Sequence, residues 1–545
     1  MLKTENTTSL SIEDNENNQR FVEAGFVEPT LKKAGIGIEN FLQGKVILIT
    51  GATGFLTKVF VEKILRSMPG VIRRKDKEDA KQRLKDEIVD IEIFKCVKQK
   101  YGEQYEEFMW SKLVGVVGDV GQSNLGMEED LATEIANDVH IIVNGAADTK
   151  FDQRYDIALQ VNAMGPCNLM DFAKKCRNLE LFLHISTSTV KSSRKGRLME
   201  EIECLSLRDG RGRQTSIMTE AMVLEKEMKL VSDYKKLVEH NVLTPKMKQL
   251  GSIRYECLGY SDPFSPGKRI WVAKYLWVYQ GTGGNADLQA KRRNIGTPTK
   301  ALGEMLIYKR RGEILAPLVI TRTSGILSTY KEPFPGWIEG IKTVDPVILD
   351  YGKGKLTGFP LNPNFCQWLA DMVVNGTLGA MAKHASMGKK ADMSIYHLSS
   401  TSSNPIVLED LFKFVYQHFK SRPYFSPSGR PVQVSEMTFF NSLPDFSAHL
   451  WTSSEAVQFS SKKMFEFIKF KEHAEYMATI YLPYAFHTDW LDDSKTRGLI
   501  GSMSEEEKKK FGCDAKSIEW KDYIVNVHIP GLRRHIWKEK GLSKM

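Results

Sequence analysis

Residues 45–58, K-V-I-L-I-T-G-A-T-G-F-L-T-K, set two glycines directly after an apolar run and before an amphipathic stretch. That order suits a phosphate. Gly51 allows a tight turn, Gly54 lets the backbone approach a pyrophosphate, and a helix starting near Phe55 aims its amides and positive dipole end at it. Thr50, Gly51, Thr53, Gly54, Phe55 and Leu56 are the candidate cradle, with Thr57 replacing the usual third glycine. Arg73 and Arg74 sit where a 2′-phosphate would be read, which favours NADP(H) through bidentate guanidinium contacts. The alternative for this pair is a solvated basic run opening a helix from Lys75 to about Ile91. Asp119 can reach an adenine amine, while Gly145 and Ala146 leave room for a ribose. Ser186, Thr187, Ser188 and Thr189 follow an apolar run, where a hydroxyl that polarises a carbonyl belongs; the other reading is a loop cap.

These groups need a frame to hold them. Val46, Ile47, Leu48 and Ile49 do not alternate with polar residues, which predicts a strand covered on both faces by helices. Further strands are expected at 113–119, 139–147 and 181–185, and helices at 55–68 and 151–165. Val59, Phe60, Ile64 and Leu65 would form the inner face of the first helix. A second strand should follow it, but 69–76 offers only Val71 and Ile72, enough for a stub. The fold class is therefore α/β, a doubly wound parallel Rossmann-type sheet, with a smaller, mainly helical domain beyond about residue 400. In that last part Ser504 and Glu507 form a capping box, and Trp520 to Asn526 starts a helix that Pro530-Gly531 should end. Trp520, Tyr523 and His528 read as packing residues there.

Composition narrows the function classes. The chain is 42% hydrophobic and 26% charged, an ordinary soluble globular balance, and its net charge of +9 favours anionic ligands or an anionic surface. Seven cysteines without a C-x-x-C pair argue against a zinc site or a disulfide framework. No apolar run approaches the roughly 18 residues of a membrane span. Residues 1–34 are polar and acidic, a disordered leader by composition and unlike acid-poor transit peptides.

Three stretches together, T-G-A-T-G-F-L-T-K, V-N-G-A-A-D-T-K-F-D-Q-R-Y-D-I-A-L-Q-V-N-A-M-G-P and F-L-H-I-S-T-S-T-V, resemble the plant fatty acyl-coenzyme A reductases. These are extended short-chain dehydrogenases with a male-sterility-type C-terminal domain. T-K-A-L-G-E-M-L-I from Thr299, S-T-Y-K-E-P-F-P-G-W-I-E-G from Ser328, A-D-M-V-V-N-G-T-L from Ala370 and W-K-D-Y-I-V-N-V-H-I-P-G-L-R-R near the end agree. The resemblance is greatest to the plastid branch, with cytoplasm or the endoplasmic reticulum surface as the other locations. It implies domains at 35–400, binding NADPH, and 401–545, covering an acyl tunnel. It also implies reduction of a fatty acyl-CoA or acyl carrier protein thioester to a primary alcohol in wax, cuticle or pollen-wall lipid metabolism. Peripheral membrane association is compatible with it; nucleic acid is not an expected partner.

The resemblance places the hydroxyl partner at Thr187, the active-site Asn at Asn162 and the lysine at Lys300. The family's proton donor is a Tyr four residues before the lysine, and here that residue is Gly296. Tyr351 with Lys355 and Tyr416 with Lys420 repeat the spacing by chance, the first in a glycine-rich loop. From roughly Ser252 to Pro298 the family pattern is lost; Trp271, Tyr275 and Trp277 stand beside Lys291, Arg292 and Arg293, with Gly281-Thr282-Gly283-Gly284 between. This reads as translated non-coding sequence in place of the tyrosine segment. Thr323 replaces a usual Pro, and Thr189 a usual Tyr. The alternative function is a catalytically inactive NADP(H)- or acyl-binding relative. A nucleotide-sugar epimerase needs the same Tyr and leaves the C-terminal motifs unexplained.

Overall fold

The computed structural model describes residues 35–67, 78–150, 153–188, 197–202, 220–238, 243–257, 296–341, 343–360, 367–386, 388, 392–452, 461–485 and 490–539. Its centre is a five-stranded, wholly parallel sheet whose spatial order follows the chain. The strands are β1 Ile47–Thr50, β2 Ile141–Asn144, β3 Leu181–Thr187, β4 Leu318–Thr323 and β5 Met393–Leu398. Their side chains alternate between two apolar clusters. Ile141, Val143, Leu181, Leu183 and Val319 point to one face, and Ile142, Phe182, Leu318 and Ile320 to the other. Both faces are covered, so a continuous apolar run is what each strand needs.

Helices α1 Phe55–Ser67 and, later in the chain, Ala370–Ala385 lie against the first face. The second face is covered by α2 Gly165–Lys175 and α3 Gly296–Arg310, and Ala370–Ala385 is α4. The inner residues expected of α1 are buried, and so are Lys58, Glu62 and Lys63. The helix is closed over on its polar side too, with Lys58 paired to Glu339, Lys63 to Glu332 and Glu62 to Arg66. Phe55 stacks on Trp337 with ring centroids 5.3 Å apart.

One expected strand does not form. Residues 113–119 run as extended coil, with Val117 63% exposed, and no described segment offers them a ladder. Apolar composition makes a strand only when a neighbour takes its hydrogen bonds. Among the described residues β1 is accordingly an edge of the sheet. The short second strand near Val71, together with Arg73, Arg74 and Thr189, lies outside the described residues.

Beyond residue 400 the main elements are helices, Leu408–Ser421, Leu443–Thr452, Ser461–Ala485, Ser494–Ser502 and Glu505–Lys510. The first four share one apolar cluster with α1 and α4. The capping box is present: Ser504 Oγ accepts from the Glu507 amide at 3.1 Å, and Glu507 accepts from the Ser504 amide at 2.9 Å. The same carboxylate also accepts from the amides of Ile36, Gly37 and Ile38 at 2.8, 2.6 and 3.1 Å, fastening the entry to the sheet. Burial works against its charge, but these amide bonds prevail and hold the carboxyl below its ordinary pKa. Glu507→Ala is expected to cost about 2 kcal/mol in urea unfolding and to open the 35–38 segment to proteases. A folded pKa below the unfolded one means this contribution is full above the unfolded pKa and lost as pH falls through the folded value.

The last helix corrects the expected stop at Pro530-Gly531. Helical turns run without a break through Trp520–Asp522, Tyr523–His528, Ile529–Gly531 and Leu532–Ile536. The wider π-type turn before Pro530 accommodates its missing N–H. The Val525 carbonyl is instead met by His418 Nδ1 at 2.7 Å. Gly531 serves close approach, since a Cβ there would lie 2.1 Å from the Gly336 carbonyl oxygen. Tyr523 and His528 are fully buried around Ser328, as expected of packing residues, and Trp520 donates to the Asn404 carbonyl at 3.0 Å.

Candidate active site

The carboxyl ends of β1 to β4 converge with the first turns of α3. At β1, Gly51 has φ 67°, and a Cβ would lie 2.8 Å from Ala146 N, so both conformation and contact require glycine. Thr57 takes the third glycine's place by donating its hydroxyl back into the turn, to the Gly51 carbonyl at 2.5 Å and the Gly54 carbonyl at 2.9 Å. The room its methyl needs is found opposite: a Cβ on Gly145 would meet Thr57 Cγ2 at 2.5 Å. The smallness of Gly145 therefore also serves packing inside the protein. Thr53 lies beside Glu87, Leu56 is half-buried, and Phe55 is held in the core by Trp337. Asp119 organises its own turn, accepting from the Gly121 amide at 2.8 Å and Gln122 Nε2 at 3.0 Å.

The short row from β1 to β3 is polar. Thr50, Asn144 and His184 stand abreast in register. Asn144 Oδ1 lies 3.1 Å from Thr50 Oγ1, Asn144 Nδ2 lies 2.9 Å from His184 Nδ1, and the Ala146 amide donates to Thr50 Oγ1 at 3.2 Å. Lys300 closes the row from α3, donating from Nζ to the Ile185 carbonyl at 2.8 Å and lying 3.5 Å from His184 Nε2. Burial pulls the Lys300 pKa down to about 8, with the Glu304 carboxylate opposing. His184 is fully buried, and burial first, then Lys300, drives its pKa well below 6.5, so the ring is neutral. Thr187 is half-buried at the end of β3, in register with Thr323 of β4.

Asn162 sits in a π-type turn, Gln160–Met164, leading into α2. Its side chain clamps Asp148, accepting from its amide at 2.9 Å and donating to its carbonyl at 3.0 Å, and it also donates to Thr299 Oγ1 at 3.1 Å. It thus ties the loop after β2 to the residue before Lys300. Gly303 lets α3 come this close, since a Cβ there would be 2.2 Å from the Asn162 carbonyl oxygen.

Gly296 is the first residue of α3, one helical turn before Lys300 and on the same face. A glycine there offers no phenol. Neither chance pair substitutes: Tyr351 lies in the helix Asp345–Gly352, not in a loop, and donates to the Ser435 carbonyl, while Lys420 lies over its own Tyr416. Helices enter both ends of the stretch, 252–298, that loses the family pattern. The helix Leu243–Cys257 runs on into it, where Arg254 pairs with Glu227, which also accepts from Tyr155, and α3 begins at Gly296. Residues 258–295, with their glycine-rich piece, lie outside the described residues.

Two site residues escaped the sequence reading. Glu304, one turn after Lys300, forms a buried ion pair with Arg322 of β4, Nη2 to Oε2 at 2.7 Å and Nε to Oε2 at 3.0 Å. Arg322 Nη1 in turn lies 3.3 Å from His397 Nε2 on β5. The available signal was a charge in each of two otherwise apolar runs, A-L-G-E-M-L-I and L-V-I-T-R-T, which must find one another if both are buried.

Comparison with known proteins fits this architecture. The terminal reductase domain of the myxalamid biosynthetic pathway superposes over 90% of this chain and 91% of its own, with a TM-score of 0.51 at 13% identity, so the two share a Rossmann-like α/β fold. The sequence pattern of a family described as male sterility protein matches residues 49–377, and a second pattern of that description matches 455–539. The chain belongs to this family, the fatty acyl-CoA reductases. It is 42% identical to the chloroplastic fatty acyl-CoA reductase 2 of Arabidopsis thaliana over 93% of this chain and 81% of that protein. It is 32% identical to the alcohol-forming fatty acyl-CoA reductase of Simmondsia chinensis, over 92% and 98% of the two chains. No helix of the described residues is long and apolar enough to cross a membrane, and no group of described side chains could hold a metal ion.

Proposed function

We propose that this site binds NADPH and has the plan of a reductase that converts long-chain fatty acyl thioesters to primary alcohols. The observation that carries the reading is Lys300, buried one turn beyond Gly296 and bonded to the carbonyl of Ile185, two residues before Thr187 at the end of β3. The donor set suits a dinucleotide: a glycine turn at a helix start, a cation, and a buried hydroxyl, Ser186 Oγ, without a protein partner among the described residues. When bound, NADPH would supply hydride to the thioester carbonyl, with the thiolate leaving to give the aldehyde, and a second NADPH would supply hydride to that aldehyde. Lys300 holds the ribose, Thr187 donates toward the carbonyl oxygen, and Asn162 fixes the loop beside them. Arg73 and Arg74 are the proposed readers of the 2′-phosphate. The substrate is a fatty acyl-CoA or acyl carrier protein thioester, residues 35–400 bind the cofactor, and 401–545 cover the acyl chain. A plastid location follows the chloroplastic relative.

The absent phenol favours a second reading, an NADP(H)- and acyl-binding protein with little turnover. The purified chain, given NADPH and a long-chain acyl-CoA, is expected to form little alcohol by gas chromatography, while NADPH binds. Turnover like that of an intact relative would remove the second reading.

Lys300 also sets a pH dependence. Cofactor affinity is expected to fall as pH rises through about 8, where the ammonium is lost. A flat fluorescence titration of NADPH from about pH 6.5 to 9.5 would mean that Lys300 does not meet the cofactor. Its folded pKa lies below 10.5, so folding stability has the opposite trend and rises with pH between about 8 and 10.5.

A further inference from the structure

We propose that His184 is a positioning residue that joins Lys300 to the glycine turn through Asn144 and Thr50, so that the two ends of the cofactor site act together. This rests on the cofactor reading above. Three adjacent strands each place one polar side chain in the same row, and Asn144 and His184 are 1% and 0% exposed. Apolar residues would cost less to bury at these places. What the row gains is an unbroken line, from Lys300 Nζ to His184 Nε2 at 3.5 Å, His184 Nδ1 to Asn144 at 2.9 Å, Asn144 to Thr50 at 3.1 Å and Thr50 to the Ala146 amide at 3.2 Å.

The line admits two senses of donation, because the two ends of the Asn144 amide are alike in shape and imidazole has two tautomers. In the first, the Lys300 ammonium donates to Nε2, Nδ1–H donates to the Asn144 oxygen, and the Asn144 amino group donates to Thr50. Thr50 then accepts from both Asn144 and Ala146, and its own proton is offered to a ligand. In the second, Thr50 donates to Asn144, Asn144 donates to Nδ1, and Nε2–H faces a neutral Lys300 amine. Thr50 then has no proton for a ligand. A charged Lys300 and an outward-donating Thr50 therefore belong to the same state, although they lie on α3 and β1. The charged groups facing this line are Glu304 on α3, tied to Arg322 of β4 with His397 of β5 behind it, and Asp148 after β2, whose carboxylate holds Gln153 and the Lys150 amide.

Histidine substitutions separate this role from packing. In His184→Gln the side-chain oxygen reaches the place of Nε2 and still accepts from Lys300. In His184→Asn only the Nδ1 side is mimicked, and in His184→Leu neither is. Every variant breaks the line, so NADPH affinity, read by fluorescence titration of the full chain, is expected to fall about tenfold in all three. Melting temperatures should separate them, with His184→Gln nearest the parent, since Asn and Leu leave the Lys300 ammonium short of an acceptor. An affinity within about threefold of the parent in His184→Gln, or losses graded by side-chain volume, would overturn the proposal. If the parent chain does not bind NADPH, the cofactor reading fails, and the melting order alone then decides whether His184 holds Lys300.

Discussion

Gly296→Tyr is expected to raise NADPH-dependent alcohol formation from a long-chain acyl-CoA by about 10²- to 10⁴-fold, the usual contribution of a placed general acid. Position 296 opens α3 and shares a face with Lys300, so the two side chains start about 5–6 Å apart at Cβ. A phenol there has a cation beside it, which favours its ionised form and brings its pKa down toward neutrality from about 10. Among the described residues the neighbouring groups are held: Lys300 by Ile185 and His184, while Asn162 fixes the loop after β2. Helix formation does not oppose the change, because glycine is a poor helix residue and tyrosine a better one. Gly296→Phe is the control, filling the same volume without the hydroxyl. Equal activity in the Tyr and Phe variants would show that the missing phenol is not what limits this chain.

Breaking the Glu304–Arg322 pair is expected to have the largest effect on stability. Arg322→Met leaves a carboxylate in a place where both partners are almost wholly enclosed, 2% and 6% exposed in their side chains. Removing one partner of such a pair costs about 3–5 kcal/mol, whereas replacing both with apolar residues of similar size is often neutral. The double variant Glu304→Leu with Arg322→Met should therefore recover most of the loss in a urea unfolding series. If the single and double variants lose the same amount, the pair is held by packing alone. The double variant has a second consequence, since Glu304 is the charge that opposes the lowering of the Lys300 pKa. Its removal should move the loss of cofactor affinity to a lower pH.

Much of the frame was legible because its signals are local. Uninterrupted apolar runs marked β1, β2 and β3, and the glycine turn located the start of α1 to the residue. The Ser504–Glu507 cap was readable because a capping box is a four-residue pattern, but the three extra amides it holds come from about 470 residues away and leave no mark at short range. Residues 113–119 misled for the complementary reason: their composition is that of a strand, while a strand exists only with a ladder partner. Pro530 misled because a wider turn and a distant histidine absorbed the break. In the site, the resemblance proposes Lys300, Asn162 and Thr187, yet it gives no hint of the line through His184. It depends on register between three strands separated by up to 134 positions, which periodicity does not encode.

Glu507 also sets a clock. The amides of residues 36–38 are made about 470 residues before the carboxylate that receives them. At about 5–20 residues per second, the interval is roughly 25–95 seconds on the ribosome. During that time the lead into β1 lacks these amide bonds and rests on the burial of Ile38 and Leu42, which leaves it more open to chaperones and proteases. A chain cut short before residue 507 never closes this contact, so a late step of synthesis decides whether residues 36–38 are held.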